Sequence, residues 1–390
     1  MTDTAPARRA LADRLEKAGV LTTPCWRAAV EAVPRELFLK PGVFLPTDDG
    51  RWRPVTAAGA DPVEWAEIAY SDQTLTTQLD GHRTADQAPS LVTGVPTSSS
   101  TTPVTVLGMI EELDVQDGHQ VLEIGTGTGY SSALLCHRLG EDNVTTVEVD
   151  PHVAARADTA LETAGFSTWS VTGDGLLGHP RRAPYDRTIA TCAVRRIPHT
   201  WIRQTRPGGI ILATLGTWPY GTGLAKVTVT ENGTAEGRIT GRASFMQARS
   251  QATVPVAGDL SARTAYADSE RTAKLSPLML EEWTSAFFAQ LAAPGAQFVR
   301  ATAVDGTRLL YVFDSGHESF AAFTADRNGD GWTVRQGGPV ALWDDIEQAL
   351  TAWQDAGSPD ITAVQLHITD RTHTYKIGDN PALRWEHRLV

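Results

Sequence analysis

The segment "VLEIGTGTGY" (Val121–Tyr130) joins an apolar run, Val121–Ile124, to glycines at 125, 127 and 129. Such a run reads as a short buried strand. The glycines let the backbone turn sharply into a following helix and approach a ligand with no Cβ in the way. Taken alone, G-x-G-x-G is shared by several nucleotide-binding folds. Its surroundings narrow the reading. Upstream, "PVTVLGMIEEL" has helical spacing; downstream, "YSSALLCHRLG" reads as a helix closed by Gly140. "NVTTVEVD" is a second strand and "PHVAARADTALETAG" a helix with proline at its first position and glycine at its end. "WSVTGDG" and "YDRTIATCA" give a third and a fourth strand. "PHTWIRQTRPGG" is a short helix and turn, and "IILATLG" a fifth strand. Strands alternating with helices predict an α/β fold with a parallel, doubly wound sheet.

Two acids point to the ligand. Glu148 lies 21 residues beyond Gly127, at the end of the second strand, where a carboxylate accepts both hydroxyls of a ribose. Asp174, in "TGDG", ends the third strand and is placed for an adenine amino group. A dinucleotide turn commonly continues G-x-G-x-x-G, with a helix N-terminus facing the pyrophosphate. Here the third glycine comes one residue early and Glu123 precedes the turn. A carboxylate there repels a pyrophosphate and suits the ammonium of a methionine moiety, which favours S-adenosylmethionine (SAM) over NAD. The candidate cofactor residues are Glu123, Gly125, Thr126, Gly127, Glu148, Val149, Asp174 and Gly175. The bland alternative makes Glu148 and Asp174 surface acids at strand ends.

Outside this block the pattern changes. Residues 7–18 and Trp26–Val33 read as helices, and 41–103 as ordered loops rich in Pro, Gly, Asp, Ser and Thr. After Gly241, segments such as "RLLYVFDSG" and "ITAVQLHITDRTHTYKIG" alternate like antiparallel strands, and "SPLMLEEWTSAFFAQLA" and "ALWDDIEQALTAWQDAG" read as helices. The formal charge of −12 argues against broad nucleic-acid binding. No apolar run approaches a membrane span and no secretory series opens the chain. Three scattered cysteines suggest a reduced, cytoplasmic protein. The ten histidines show no metal-ligand spacing. "DRNGDG" (Asp326–Gly331) starts like a calcium loop, but Gly337 stands where the bidentate Glu is needed, so a hairpin turn is expected.

With these pieces in view, the central block resembles the protein-L-isoaspartate O-methyltransferases. The matching stretches are "AVPRELFL" (Ala32–Leu39), "TSSSTTP" (Thr97–Pro103), "VLEIGTGTGYSSALL", "TTVEVDP", "TGDGLLGHPRRAPYDRTIATCAV" and "PGGIIL". The resemblance covers Ala28–Thr217. It implies a Rossmann-like class I SAM-dependent methyltransferase over residues 1–240, with helices and substrate-side loops in 1–95 and the core in 96–240. Residues 241–390 form a C-terminal α+β domain, whose expected part in peptide recognition rests on the resemblance. "TSSSTTP" stands where the family has G-Q-T-I-S-Q-P, and "TCAVRRIP" where repair enzymes have small residues. With the long C-terminal part, these departures resemble the branch that matures ribosomal peptides (graspetide, lanthipeptide and lasso-peptide enzymes). That implies a modified precursor peptide as partner, methylation of a genetically encoded aspartate, and closure to an aspartimide and, in some members, isoaspartate. A general isoaspartyl repair enzyme and a non-catalytic SAM-binding partner are the alternatives.

The chemistry asks for alignment rather than a base. An aspartyl carboxylate, with a pKa of about 4, is ionised at neutral pH, and orienting it against the methyl group while excluding water lowers the barrier. Hydroxyls hold one carboxylate oxygen without neutralising the other. Thr101, Ser99 and Ser100 are the candidate catalytic residues, with Thr101 first by alignment; Ser98, Val194, Arg195 and Arg196 are candidate substrate contacts. Thr102–Pro103 has the form of a helix N-cap and first position.

Overall fold

Two helices open the chain, α1 (Ala5–Lys17) and α2 (Pro24–Ala32), each with a proline in its first turn. The two helices pack together and bury Leu11, Leu15, Trp26 and Val30. These and all later elements come from a computed structural model that describes residues 3–254, 256, 258–303, 306–325 and 331–388. The chain forms two compact units, Met1–Cys192 with Thr200–Leu212, and Ala193–His199 with Ala213–Val390.

In the first unit, residues 41–103 depart from the expectation of loops. They contain β1 (Gly42–Pro46), β2 (Trp52–Thr56), α3 (Pro62–Ala69), β3 (Leu75–Leu79) and β4 (Pro96–Ser100). The strands make an antiparallel sheet in the order β2-β1-β3-β4. They escape a periodicity reading because each spans five residues and β3 ("LTTQL") is buried at every position, so no polar face marks it.

The glycine-rich block follows the expected alternation. After α4 (Pro103–Glu112) come β5 (Val121–Ile124), α5 (Tyr130–Leu139), β6 (Val144–Glu148), α6 (Pro151–Thr163) and β7 (Trp169–Thr172). Then β8 (Tyr185–Val194), α7 (His199–Gln204) and β9 (Thr205–Leu215) complete it. Strands β8, β5, β6 and β7 lie side by side and parallel, with Val121 opposite both Arg187 and Val144. The residues "TRPGG", expected as a turn, already belong to β9. This is a Rossmann-like α/β fold.

The second unit takes β10 (Gly223–Val229) and β11 (Ala235–Arg242), short α8 (Leu260–Arg263), β12 (Ser269–Thr272) and α9 (Trp283–Ala292). Next are β13 (Gln297–Thr302), β14 (Arg308–Asp314), β15 (Ser319–Ala325), β16 (Trp332–Gly337) and α10 (Leu342–Asp355). Last are β17 (Gln365–Ile368), β18 (Thr372–Lys376) and β19 (Arg384–Arg388). One antiparallel sheet runs β12-β16-β15-β14-β13, and β10, β11, β17, β18 and β19 are neighbours in another. Because β11 pairs with β17, the strands from Gly223 onward group with the C-terminal elements, and the unit boundary falls ahead of the expected one at residue 240. The single helix expected from "SPLMLEEWTSAFFAQLA" is broken at Glu282, whose backbone is extended (φ −85°, ψ 136°). The expected hairpin turn in "DRNGDG" lies outside the described residues, although β15 and β16 on either side pair antiparallel. Among the described residues no helix is long and apolar enough to cross a membrane.

Candidate active site

The turn after β5 needs its glycines. Gly125, Gly127 and Gly129 have φ of +93°, +56° and +88°, a region that other residues enter at a cost of about 1–2 kcal/mol each. A Cβ on Gly125 would stand 2.9 Å from the Thr191 hydroxyl, which donates to the carbonyls of Ile124 and Gly125. A Cβ on Gly129 would meet Ala157 and Leu161 of α6 at 3.4 Å. The Thr126 side chain is buried, 2.7 Å from the Thr146 hydroxyl.

The acids divide. Glu148 is 8% exposed at the end of β6. Its Oε2 accepts from the N–H of Gly127 at 2.9 Å and its Oε1 from that of Asp150 at 3.0 Å. Each oxygen keeps a lone pair for a hydroxyl donor. Beside it Val149, an apolar side chain, is 39% exposed. Asp174 accepts from the N–H of Leu176 at 3.0 Å and starts the short turn Gly175–Leu177. Gly175 packs on Ile124 and its carbonyl accepts from the Trp201 indole at 2.8 Å. Glu123 has a different task from the one expected. Its carboxylate is fully buried and accepts from Ser131, Ser132 and Thr146, pinning α5 and β6 to β5. Burial pushes its carboxyl up, against the three hydroxyl donors that hold it down. An ammonium group finds no open oxygen there.

The hydroxyl strand is sorted by the period of two. Successive side chains of β4 point to opposite faces: Ser98 and Ser100 are buried, Ser99 is half-buried. The Ser98 hydroxyl accepts from Thr77 at 3.2 Å and the Ser100 hydroxyl from Arg35 at 3.3 Å. Both expectations for these side chains, substrate contact for Ser98 and catalysis for Ser100, are therefore corrected: the pair anchors the strand. Among the described residues, the Ser99 and Thr101 hydroxyls have no hydrogen-bond partner. The Ser99 carbonyl lies 3.6 Å from where a Gly127 Cβ would stand, so β4 runs along the glycine turn. Thr102 holds the N-cap position of α4, but Asp72 does the capping, accepting from the N–H of Val104 at 3.0 Å and from the Thr102 hydroxyl.

Sequence reasoning passed over the residues that hold this strand. Arg35 is 0% exposed and donates to the carbonyls of Ala69 (2.7 Å), Ser71 (3.0 Å) and Thr101 (3.2 Å). Burial lowers its pKa to about 10, against neighbouring Tyr130, Asp72 and Tyr70. Its signal was a charge inside the apolar run "AVPRELFL". Gln78 accepts from Thr97 at 2.8 Å and donates to Asp150 at 3.2 Å, tying β4 to the end of β6. Its signal was the lone amide of "LTTQL". The Cys192 thiol is pushed up to about 12 by burial, so it stays neutral.

Val194, Arg195 and Arg196 belong to the second unit. Val194 is fully buried, so its side chain meets no substrate, a further correction. Both arginine N–H groups donate to Gln251 Oε1, at 2.6 and 3.3 Å. Among the described residues no three His, Cys, Asp or Glu side chains gather as for a metal.

A parallel sheet, a glycine turn against β4 and a Glu148 carboxylate with open lone pairs beside an apolar Val149 fit SAM. They define a class I SAM-dependent methyltransferase. Comparison with known proteins carries this further. Residues 64–252 match the family profile described as protein-L-isoaspartate(D-aspartate) O-methyltransferase (PCMT). The chain is 31% identical over 220 residues to the protein-L-isoaspartate O-methyltransferase of Hyperthermus butylicus, covering 54% of this chain and 75% of that protein. It is 37% identical over 133 residues to that of Ignicoccus hospitalis, covering 34% of this chain and 63% of that one. A solved protein-L-isoaspartate O-methyltransferase shares the fold with a TM-score of 0.52 at 20% identity, over 98% of this chain and 100% of its own. The chain belongs to the protein-L-isoaspartate O-methyltransferase family, whose members are SAM-dependent carboxyl methyltransferases.

Proposed function

We propose that the protein transfers a methyl group from SAM to the free carboxylate of an isoaspartyl residue in polypeptides, giving a methyl ester and S-adenosylhomocysteine. The observation that carries this reading is the position of β4. It sets the Ser99 hydroxyl on the strand that borders the Gly127 turn and the Thr101 hydroxyl one residue past that strand's end. The cofactor, when bound, supplies an electrophilic methyl on a sulfonium. A carboxylate oxygen attacks that carbon, the carbon–sulfur bond breaks, and its electron pair stays on sulfur. No proton moves, so no general base is required. Thr101, with Ser99, orients the carboxylate by donating to the oxygen that does not attack. Glu148 and the Gly127 turn hold the nucleoside end.

A narrower reading is favoured by "TSSSTTP" in place of the family's usual segment. In it the target is one encoded aspartate of a modified precursor peptide. Its ester carbonyl is attacked by the following backbone nitrogen, which loses its proton as methanol leaves. The long C-terminal unit does not by itself favour this branch, because a solved protein-L-isoaspartate O-methyltransferase spans 98% of the chain. Mass spectrometry separates the readings. Methylation of several unrelated isoaspartyl peptides supports the broad one. Methylation of one modified precursor, followed by loss of methanol, with those peptides untouched supports the narrow one. No methyl gain on either overturns both.

A further inference from the structure

The second unit contains a cleft of about 550 Å³, and its wall collects cations from remote segments. Arg195 and Arg196 follow β8, while Arg384 and Arg388 come from β19. The chain as a whole carries −12, so this wall opposes the average of the molecule. Arg384 is offset by Glu386 at 3.6 Å. Arg195, Arg196 and Arg388 have no carboxylate within ion-pair distance among the described residues.

The arrangement is held in place rather than loose. Arg195 Nη2 donates to the Pro294 carbonyl at 3.1 Å and Arg196 Nη1 to the Arg388 carbonyl at 3.0 Å. Each guanidinium carries five N–H donors, so most remain unspent. Buried Gln290 accepts from the N–H groups of Thr217 (2.8 Å) and Trp218 (2.9 Å), which fixes the floor. Burial and neighbouring Arg196 lower the Arg195 pKa, against the opposing pull of Asp314, the direction in which added negative charge would favour the guanidinium. Trp385 also lines the cleft, an apolar surface beside the cations.

We propose that this cleft binds an acidic polypeptide segment, its carboxylates on Arg195, Arg196 and Arg388 and an adjoining apolar side chain against Trp385. The inference rests on the reading above that the substrate is a polypeptide. Planar guanidinium groups pair bidentately with carboxylates. Trp385 beside the cations suits the apolar side chain of a peptide, which inorganic phosphate lacks.

Binding is tested with the full chain, apart from turnover, by fluorescence anisotropy of labelled hexaglutamate. Hexaglutamine, inorganic phosphate and a thymidine oligonucleotide serve as competitors. Saturable binding is expected that only excess hexaglutamate displaces. It should weaken roughly tenfold in R195Q/R196Q and in R388Q, each removing a charge-assisted pair. E386Q, which removes the competing carboxylate, should tighten binding by about threefold, a direction that loss of folding cannot produce. S-adenosylhomocysteine binding by calorimetry checks that each variant keeps the first unit intact. Equal binding of hexaglutamate by parent and arginine variants overturns the proposal. So does equal affinity for hexaglutamine, or tighter binding of phosphate or the oligonucleotide. Methyl transfer to isoaspartyl peptides by the parent is scored separately, so failure of the activity and failure of the cleft are told apart.

Discussion

The backbone at Gly127 lies against the carbonyl of Ser99: a Cβ on the glycine would stand 3.6 Å from that oxygen. This contact joins the cofactor turn to the hydroxyl strand, and the alternation of β4 then decides which hydroxyls work. Thr101→Val and Ser99→Ala are expected to lower kcat about tenfold, the effect of losing one hydrogen bond to a carboxylate worth about 1.5 kcal/mol, with the S-adenosylhomocysteine Kd unchanged. Ser98→Ala and Ser100→Ala should instead lower unfolding free energy by about 1 kcal/mol with kcat nearly preserved. Steady-state kinetics beside urea unfolding reads both. Equal loss of kcat across the four variants removes the distinction between the faces.

Arg35 gathers the segment before α4 from inside. Its removal orphans the carbonyls of Ala69, Ser71 and Thr101 and the Ser100 hydroxyl together. Arg35→Leu should cost about 3 kcal/mol of unfolding free energy and lower kcat through displacement of β4. A urea midpoint within error of the parent's would contradict the anchoring role.

Glu148 accepts from Gly127 and Asp150 through separate oxygens, and an amide offers only one acceptor. Glu148→Gln should therefore weaken S-adenosylhomocysteine by about 1–2 kcal/mol, roughly five- to thirtyfold in Kd. Asp174→Ala tests the second acid by the same calorimetry, with a loss of about 1 kcal/mol expected for one lost acceptor. Unchanged affinity in both variants would move the nucleoside away from these strand ends.

The parallel core was legible because its signals are local: an apolar run, three glycines, and prolines and glycines at helix ends. The sheet β2-β1-β3-β4 was not, since its strands are short and β3 hides both faces. For the same reason Ser98–Thr101 read as one lining, where only the strand period separates anchors from free hydroxyls. Glu123 and Thr126 sat in the right motif, but the side chains that occupy them, Ser131, Ser132 and Thr146, come from neighbouring elements and carry no motif of their own. Arg35 and Gln78 were visible only as polar residues in apolar company. Their partners lie tens of residues away, which no local pattern records.

His373 gives the second unit a pH dependence with a defined sign. It is fully buried, its Nε2 lies 3.2 Å from the Ile197 carbonyl, and its Nδ1 has no partner. Burial lowers its pKa from 6.5 to about 4, and burial lowers that of His387 as well. Both rings are neutral in the fold and take up a proton when unfolded. Stability is therefore intact above pH 6.5 and falls as pH drops toward 4, with the His373 part levelling off below that. A shift of this size corresponds to about 3 kcal/mol for His373. His373→Gln keeps a donor for the Ile197 carbonyl but does not titrate. Between pH 7 and 4.5 it should lose less unfolding free energy than the parent, with the difference shrinking to nothing above pH 7. Urea titrations at several pH values measure this, and parallel pH profiles for parent and variant would show that His373 is not the titrating group.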